Sequence, residues 1–193
     1  PQQIARLLPP ESVFLETVAV RIPRRRTAPT EVRLPTLDLV AQPVAQPGFR
    51  RRFTAAWQRE ALAADLVRRL GEDKANVVVV GEPGVGKSTL LVSAVRNLER
   101  KRRAARADDA DEAVVPYRYW LTSAARLIAG MKYLGQWQER CEQLIDELAS
   151  IGGVLCVESL LDLLLLGGEG PDDSLAAFLL PYLQNGELRM AAE

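Results

Sequence analysis

The sequence predicts an α/β fold: a mainly parallel sheet sandwiched by helices. Two apolar runs, Val77-Val-Val-Val80 and Val154-Leu-Cys-Val157, have the length and content of strands covered on both faces. Between and around them lie segments whose apolar residues recur at spacings of three and four, the period of amphipathic helices. Strands alternating with helices at this rhythm require crossover connections, and crossovers produce parallel pairing. The 193 residues are enough for one domain, or one and a fraction, with a single substantial core.

The first 52 residues differ from the rest. They hold eight of the twelve prolines and nine arginines against four carboxylates, so a packed helical core is not expected there. Composition therefore divides the chain into a Pro/Arg-rich extension or linker over 1–52 and an α/β unit over 53–193. Within the extension, Val13 to Ile22 and Glu31 to Leu34 have strand-like content and predict a β-hairpin. The arginines at 24–26 and 50–52 suit either a solvated linker or an acidic partner, including nucleic acid.

From Phe53 the pattern turns helical, with Ala56, Leu62, Ala63, Leu66 and Leu70 in phase and Gly71 as a stop. A strand follows at Val77–Val80, then a helix to about Arg100 that tails into the basic block Lys101–Arg106 and an acidic one from Asp108 to Glu112. Val114–Leu121 reads as a second strand, with Pro116 suggesting an edge position or a strand start. Thr122 or Ser123 is placed to cap the next helix. Over Gln136–Leu148, residues Trp137, Cys141, Leu144, Ile145 and Leu148 share one helical face, and Gly152-Gly153 breaks that helix before Val154–Val157. Asp172 or Asp173 begins a further helix through Leu180, which Pro181 bends, and Gly186 precedes the last segment, Leu188–Ala192.

Composition excludes several chemistries. With no histidine, imidazole catalysis and His-rich metal sites are ruled out. Acidic and basic residues are equal in number, so total charge favours no polyanionic partner. The two cysteines fall in a helix and a strand, which predicts a reduced, cytoplasmic compartment. No apolar run approaches the roughly 18 to 20 residues of a membrane span, and no signal peptide is evident. The chain opens on Pro1 instead of Met, as expected of a piece of something longer.

Behind the tetravaline run, Gly81-Glu82-Pro83-Gly84-Val85-Gly86-Lys87-Ser88 satisfies G-x-x-x-x-G-K-[ST], the phosphate-binding loop. A triphosphate needs many donors converging on it, and glycines at 81, 84 and 86 let backbone N–H groups approach it closely. The helix opening near Lys87 adds its partial positive end. Lys87 reaches the β/γ-phosphates, and Ser88 places its hydroxyl on Mg²⁺. Nucleotide contacts are thus expected from Glu82, Pro83, Gly84, Val85, Gly86, Lys87, Ser88 and Thr89, with ATP or ADP and Mg²⁺ as ligands.

Hydrolases built on this loop need a second apolar strand ending in an acid that serves the metal. The candidate is Val154–Val157 followed by Glu158 and Ser159. Here Glu158 serves Mg²⁺ together with Ser88.

From about Trp57 onward the chain resembles the first AAA+ module of the Clp-type unfoldases and disaggregases, ATP-driven ring chaperones. The family loop G-E-P-G-V-G-K-[TS] matches Gly81–Ser88 residue for residue. The family's G-A-K-Y-R-G-E-F-E-E-R keeps its frame in Gly130-Met-Lys132-Tyr133-Leu134-Gly135-Gln-Trp137-Gln-Glu139-Arg140. Its P-x-L-x-x-G-E-L reappears as Pro181 to Leu188. The resemblance implies a P-loop AAA+ large subdomain that self-associates into a ring, a hexamer in the full-length protein, and acts on unfolded polypeptide with a possible protease partner. It implies no membrane role and disfavours nucleic acid. By the same resemblance Lys132, Tyr133, Leu134 and Gly135 form the pore loop, whose aromatic ring grips a threaded chain; the alternative is that Tyr133 packs on its own module. The family's sensor, arginine finger and lid would lie beyond Glu193.

The departures matter as much. Where the family ends its second motif Asp-Glu, with Asp on the metal and Glu polarising water, this chain has Glu158-Ser159. A serine cannot take that proton at neutral pH, and losing a general base typically removes roughly 10² to 10⁴ in rate. A slip of one residue would instead put Glu158 at the catalytic position and Val157 where the metal carboxylate belongs. Asp162 compensates in either register, or is simply exposed. Three functions follow: a nucleotide-binding module with weakened hydrolysis, a non-hydrolysing scaffold stabilised by nucleotide, or a DNA-associated AAA+ protein.

Overall fold

The computed structural model describes residues 32–51, 53, 56, 58–107, 116–131, 135–168 and 170–193. All of these belong to one compact unit that begins at Glu31. The strand expected over Val13–Ile22 lies outside the described residues, as do Arg24–Arg26 and Asp108–Val115.

Among the described residues the sheet has five strands in the order β1-β3-β4-β5-β2. They are β1 (Gln42–Pro43), β2 (Val77–Val78), β3 (Tyr119–Thr122), β4 (Val154–Val157) and β5 (Met190–Ala192). Pairing is parallel for β3 with β4, β4 with β5 and β5 with β2, and antiparallel only for the short β1 against β3. Among the described residues seven α-helices accompany the sheet: α1 (Pro35–Val40), α2 (Glu60–Gly71), α3 (Lys87–Ala107), α4 (Ala124–Ile128), α5 (Gln136–Ile151), α6 (Leu160–Leu165) and α7 (Leu175–Gln184).

Two apolar layers flank the sheet. On one side Trp120, Leu155, Val157 and Ala192 pack with α1, α5 and α7 through Leu37, Cys141, Leu144, Leu148, Leu175 and Leu179. On the other, Tyr119, Leu121, Cys156 and Ala191 meet Leu91 and Val95 of α3 and Leu70 of α2. Successive residues of β3 and β4 face opposite helix layers, Tyr119, Leu121, Val154 and Cys156 one and Trp120, Leu155 and Val157 the other, so both runs are almost wholly apolar, and buried Thr122 donates its hydroxyl to the Val40 carbonyl. The α5 face foreseen from Trp137, Cys141, Leu144, Ile145 and Leu148 is the buried one and extends to Ile151.

Residues 34–49, grouped by composition with the Pro/Arg-rich extension, pack into this same unit. Pro35 sits in the first turn of α1, where its fixed φ is favourable, and Leu34, Leu37 and Val40 are buried against the α5 side. Val32 to Leu34 therefore lead into a helix and form no strand. Glu147 of α5 fastens the junction, its two carboxylate oxygens accepting the backbone N–H groups of Thr36 (2.9 Å) and Leu37 (2.8 Å).

Other local expectations shift. The Val77–Val80 run is parallel to β5, as expected, but not buried: Val78 is 48% and Val80 88% exposed, while Val77 and Val79 pack toward α2 and α3. Among the described residues this strand pairs only with β5, and its apolar content reflects the one face that α2 and α3 cover. α2 starts at Glu60, well after Phe53. α3 runs to Ala107, past Arg100, because Arg102 is held by buried Glu99 and by the carbonyl of Pro116. The cap of α7 is Ser174, whose hydroxyl accepts the N–H of Ala177, with Asp172 and Asp173 in a preceding 3-10 turn. Among the described residues no helix is long and apolar enough to cross a membrane.

Candidate functional site

The loop between β2 and α3 is shaped by two glycines. Gly84 and Gly86 have φ of +79° and +89°, conformations L side chains rarely adopt. A Cβ built at either would meet nothing within 4 Å, so the space above them is open. Gly81, Glu82, Pro83, Gly84 and Val85 are exposed, and the loop delivers the chain into α3 at Lys87. The first four N–H groups of a helix lack intrahelical partners. Here they belong to the turn holding Lys87, Ser88 and Thr89. The Lys87 Nζ arches back over the loop and donates to the carbonyls of Gly81 (3.0 Å) and Glu82 (3.1 Å). The arrangement sets the Lys87 ammonium over an exposed loop with open space at its two glycines, features suited to holding a polyphosphate.

Beside the first turn of α3 lies a cavity of about 120 Å³ lined by Ser88, Glu158 and Glu193 together with apolar side chains including Val44, Phe53 and Leu121. The sheet brings the three polar residues together. Ser88 enters from the first turn of α3. Glu158 follows β4, its backbone N–H donating to the Thr122 carbonyl at 3.1 Å, and its side chain is exposed. Glu193 follows β5, and its Oε2 accepts the Ser88 hydroxyl at 2.8 Å. Burial lifts the Glu193 carboxyl above the usual range and Glu158 pushes it the same way, against the Ser88 hydrogen bond and the Lys87 charge, which lower it. A hydroxyl and two carboxylates are hard oxygen donors suited to Mg²⁺, which completes its shell from phosphate and water. The residues therefore suit the ion that the loop implies.

Glu193 is the residue that sequence reasoning missed. Its signal was present: Leu188 to Ala192 is a largely apolar run ending in an acid, the very pattern sought at Val154–Glu158. Ser159 is occupied otherwise. It is the N-cap of α6, its hydroxyl accepting the N–H of Asp162 at 3.2 Å. Asp162 itself is exposed on that helix.

Of the expected pore loop, Lys132, Tyr133 and Leu134 lie outside the described residues. Gly135 is exposed, with φ of +94°, and sits at the N-cap of α5. Arg140, in the same frame, donates to the carbonyls of Leu127 and Ala129 and so joins α5 to the end of α4.

Comparison with known proteins agrees with this geometry. The family described as "AAA ATPase domain" matches residues 56–177. The chaperone protein ClpB of Aquifex aeolicus is 32% identical over 127 residues, covering 65% of this chain and 12% of that protein. A ClpA homologue of Guillardia theta, an ATP-dependent Clp protease ATP-binding subunit, is 26% identical over 163 residues, 83% of this chain and 19% of its own length. The chain thus spans under a quarter of each. Among solved structures, the S. cerevisiae Hsp104-ADP complex superposes with a TM-score of 0.54 at 25% identity, over 81% of this chain and 21% of that one. The extended Hsp104:casein complex gives 0.56 at 23% identity, over 82% and 26%, a likeness of fold. With the loop, the parallel sheet and the family match in agreement, the chain belongs to the AAA ATPase domain family, and the relatives it resembles are Clp proteins.

Proposed function

We propose that this chain is the ATP-binding AAA+ module of a Clp-like protein-remodelling machine, a chaperone or the ATPase subunit of a protease, with weakened hydrolysis of its own. The observation that carries the reading is the open, glycine-shaped loop with Lys87 above it and Ser88 beside a carboxylate. Glu82, Pro83, Gly84, Val85 and Gly86 give the backbone cradle, Lys87 the point charge, and Ser88 and Thr89 the first turn of the helix. Lys87 exchanges its two carbonyl partners for phosphate oxygens when nucleotide enters. Bound Mg²⁺ would neutralise charge between the β- and γ-phosphates, with Ser88 and a nearby carboxylate on its coordination shell.

Hydrolysis is weakened because the position after Glu158 offers an alcohol, and that alcohol is already engaged as the acceptor that starts α6. The Ser159 cap also supports a second reading, in which bound nucleotide only stabilises the module as a scaffold or regulatory partner. The DNA-associated reading has less behind it, since Arg102 is turned onto Glu99 and Arg103 lies 4.2 Å from the centroid of Tyr117. Ring assembly, a polypeptide substrate gripped at Lys132–Gly135 and a protease partner follow from the Clp likeness and complete the proposal.

The test is nucleotide titration by calorimetry with Lys87→Ala as control, followed by single-turnover ATP hydrolysis beside Ser159→Glu. The proposal requires binding that Lys87→Ala abolishes and turnover that Ser159→Glu raises. A native chain already turning over at the variant's rate refutes the weakened site. One that binds but never turns over, with or without the substitution, points to the scaffold.

A further inference from the structure

The strand order places β5, and not β4, beside the strand that leads into the loop. Val78 of β2 registers with Ala192, and Ala192 registers in turn with Val157 of β4. The residue after Ala192 is therefore wedged between the two segments that make the site. Its backbone is fixed on that side: the Val79 N–H donates to the Ala192 carbonyl (2.8 Å), the Glu193 N–H to the Val157 carbonyl (3.3 Å), and the Leu160 N–H to the Glu193 carbonyl (2.8 Å). A side chain leaving this position has a defined origin. It reaches the Ser88 hydroxyl at 2.8 Å from a half-buried setting.

We infer that Glu193, rather than Glu158, is the carboxylate that holds the Ser88 hydroxyl in place for the metal of a bound nucleotide. The inference rests on the nucleotide-binding reading above and assigns one residue within it. Two facts separate the carboxylates. Glu158 leaves a strand one position farther from the loop and its side chain is exposed, whereas Glu193 leaves the adjacent strand and already engages the serine. A carboxylate that accepts the Ser88 proton turns the hydroxyl's lone pairs outward, toward the open side of the cavity where phosphate and metal would lie. Glu193 is thus a positioning residue acting through Ser88. Glu158, relieved of that duty, stands as a second carboxylate on the same cavity.

The experiment measures ADP affinity of the full chain by calorimetry, once in EDTA and once in millimolar Mg²⁺; the ratio of the two is the metal enhancement. Partners that orient a metal ligand are typically worth about 10- to 100-fold in metal affinity. Glu193→Gln should therefore cut the enhancement about tenfold and leave metal-free ADP affinity unchanged or tighter, since a negative charge near the phosphates is gone. Glu193→Asp should recover part of it, and Glu158→Gln should cut it less than Glu193→Gln does. Ser88→Ala should lose the enhancement as well, with no added loss when combined with Glu193→Gln, because the two act as one unit. A merely structural role for Glu193 would lower both affinities together. Glu158→Gln abolishing the enhancement while Glu193→Gln keeps it overturns the assignment, as does additive behaviour of Ser88 and Glu193. A native chain that binds no ADP under either condition refutes the nucleotide-binding reading itself, a result distinct from a lost metal effect.

Discussion

The hydroxyl of Ser159 accepts the backbone N–H of Asp162 at 3.2 Å, so the residue standing where a water-polarising glutamate is expected is the N-cap of a helix. Ser159→Ala should destabilise the fold by about 1 kcal/mol through loss of that cap, and leave ADP affinity unchanged. Ser159→Asp keeps a capping oxygen and should retain stability. Urea denaturation of the three proteins beside ADP titrations checks both statements. A drop in ADP affinity for Ser159→Ala would give Ser159 a role in binding that its geometry does not suggest.

Gly86 holds a φ of +89°, directly before Lys87. Gly86→Ala should cost roughly 1–2 kcal/mol in backbone strain, because an L side chain is disfavoured there. It also sets a methyl group in the open space over the loop. The expected result is a lower unfolding midpoint without nucleotide and, more tellingly, loss of the further stabilisation that added ADP gives the native chain. Thermal scans with and without saturating ADP read both effects.

Much of this was legible in the sequence because periodicity and spacing are local. The α5 face needed only the positions of Trp137, Cys141, Leu144, Ile145 and Leu148, and β4 only an unbroken apolar run. What failed depended on neighbours distant in the chain. Nothing local distinguishes Val77–Val80, half exposed, from a central strand; the difference is that among the described residues α2 and α3 cover only the Val77 and Val79 face. Leu34, Leu37 and Val40 were obscured by the prolines around them, although Pro35 is favourable in a first helical turn. The loop motif was readable because its spacing encodes its function. Glu193 was not, because its meaning lies in the order of strands, which places residue 193 against residue 88.

Glu147 illustrates such a long-range dependence. Its Oε1 and Oε2 each accept one N–H at the start of α1, and Leu37 is fully buried. Glu147→Ala strands two backbone donors, and an unsatisfied buried donor costs about 1–3 kcal/mol. Glu147→Gln should lose nearly as much, since its NH₂ would face one of those donors. Equal unfolding midpoints for native and Gln proteins would show that only one of the two bonds matters.

The thiols of Cys141 and Cys156 are both pushed up to about 12 by burial. Because the thiolate is the reactive form, neither should react with a thiol reagent at pH 8 in the native state, and both should react once unfolded. The linkage has a definite sign. The folded state binds these protons more tightly than the unfolded chain, so this contribution to stability is complete below about 9 and declines as pH rises toward 12. Replacing both residues with alanine should flatten the alkaline limb of a stability profile measured by urea midpoints.

Glu99 is 2% exposed and ties three parts of the chain together. One oxygen accepts the backbone N–H of Arg118 at 2.6 Å, at the entry to β3, and the other accepts Arg102 Nη2 at 2.7 Å, with Arg102 donating on to the Pro116 carbonyl. Removing one member of a buried pair leaves the other charge uncompensated, which typically costs about 3–5 kcal/mol. Arg102 is 16% exposed at its side chain and can turn toward water, so Glu99→Ala should fall at the low end, about 3 kcal/mol. Arg102→Ala leaves the less accessible Glu99 with the Arg118 N–H and with Arg103 at 4.0 Å, and should cost a comparable amount. Because the two share one network, the double variant should be less destabilised than the sum of the singles. Glu99→Gln keeps an acceptor for Arg118 and should lie between native and Glu99→Ala in urea midpoint. Strict additivity in this cycle would mean that α3 is held to the start of β3 by packing alone.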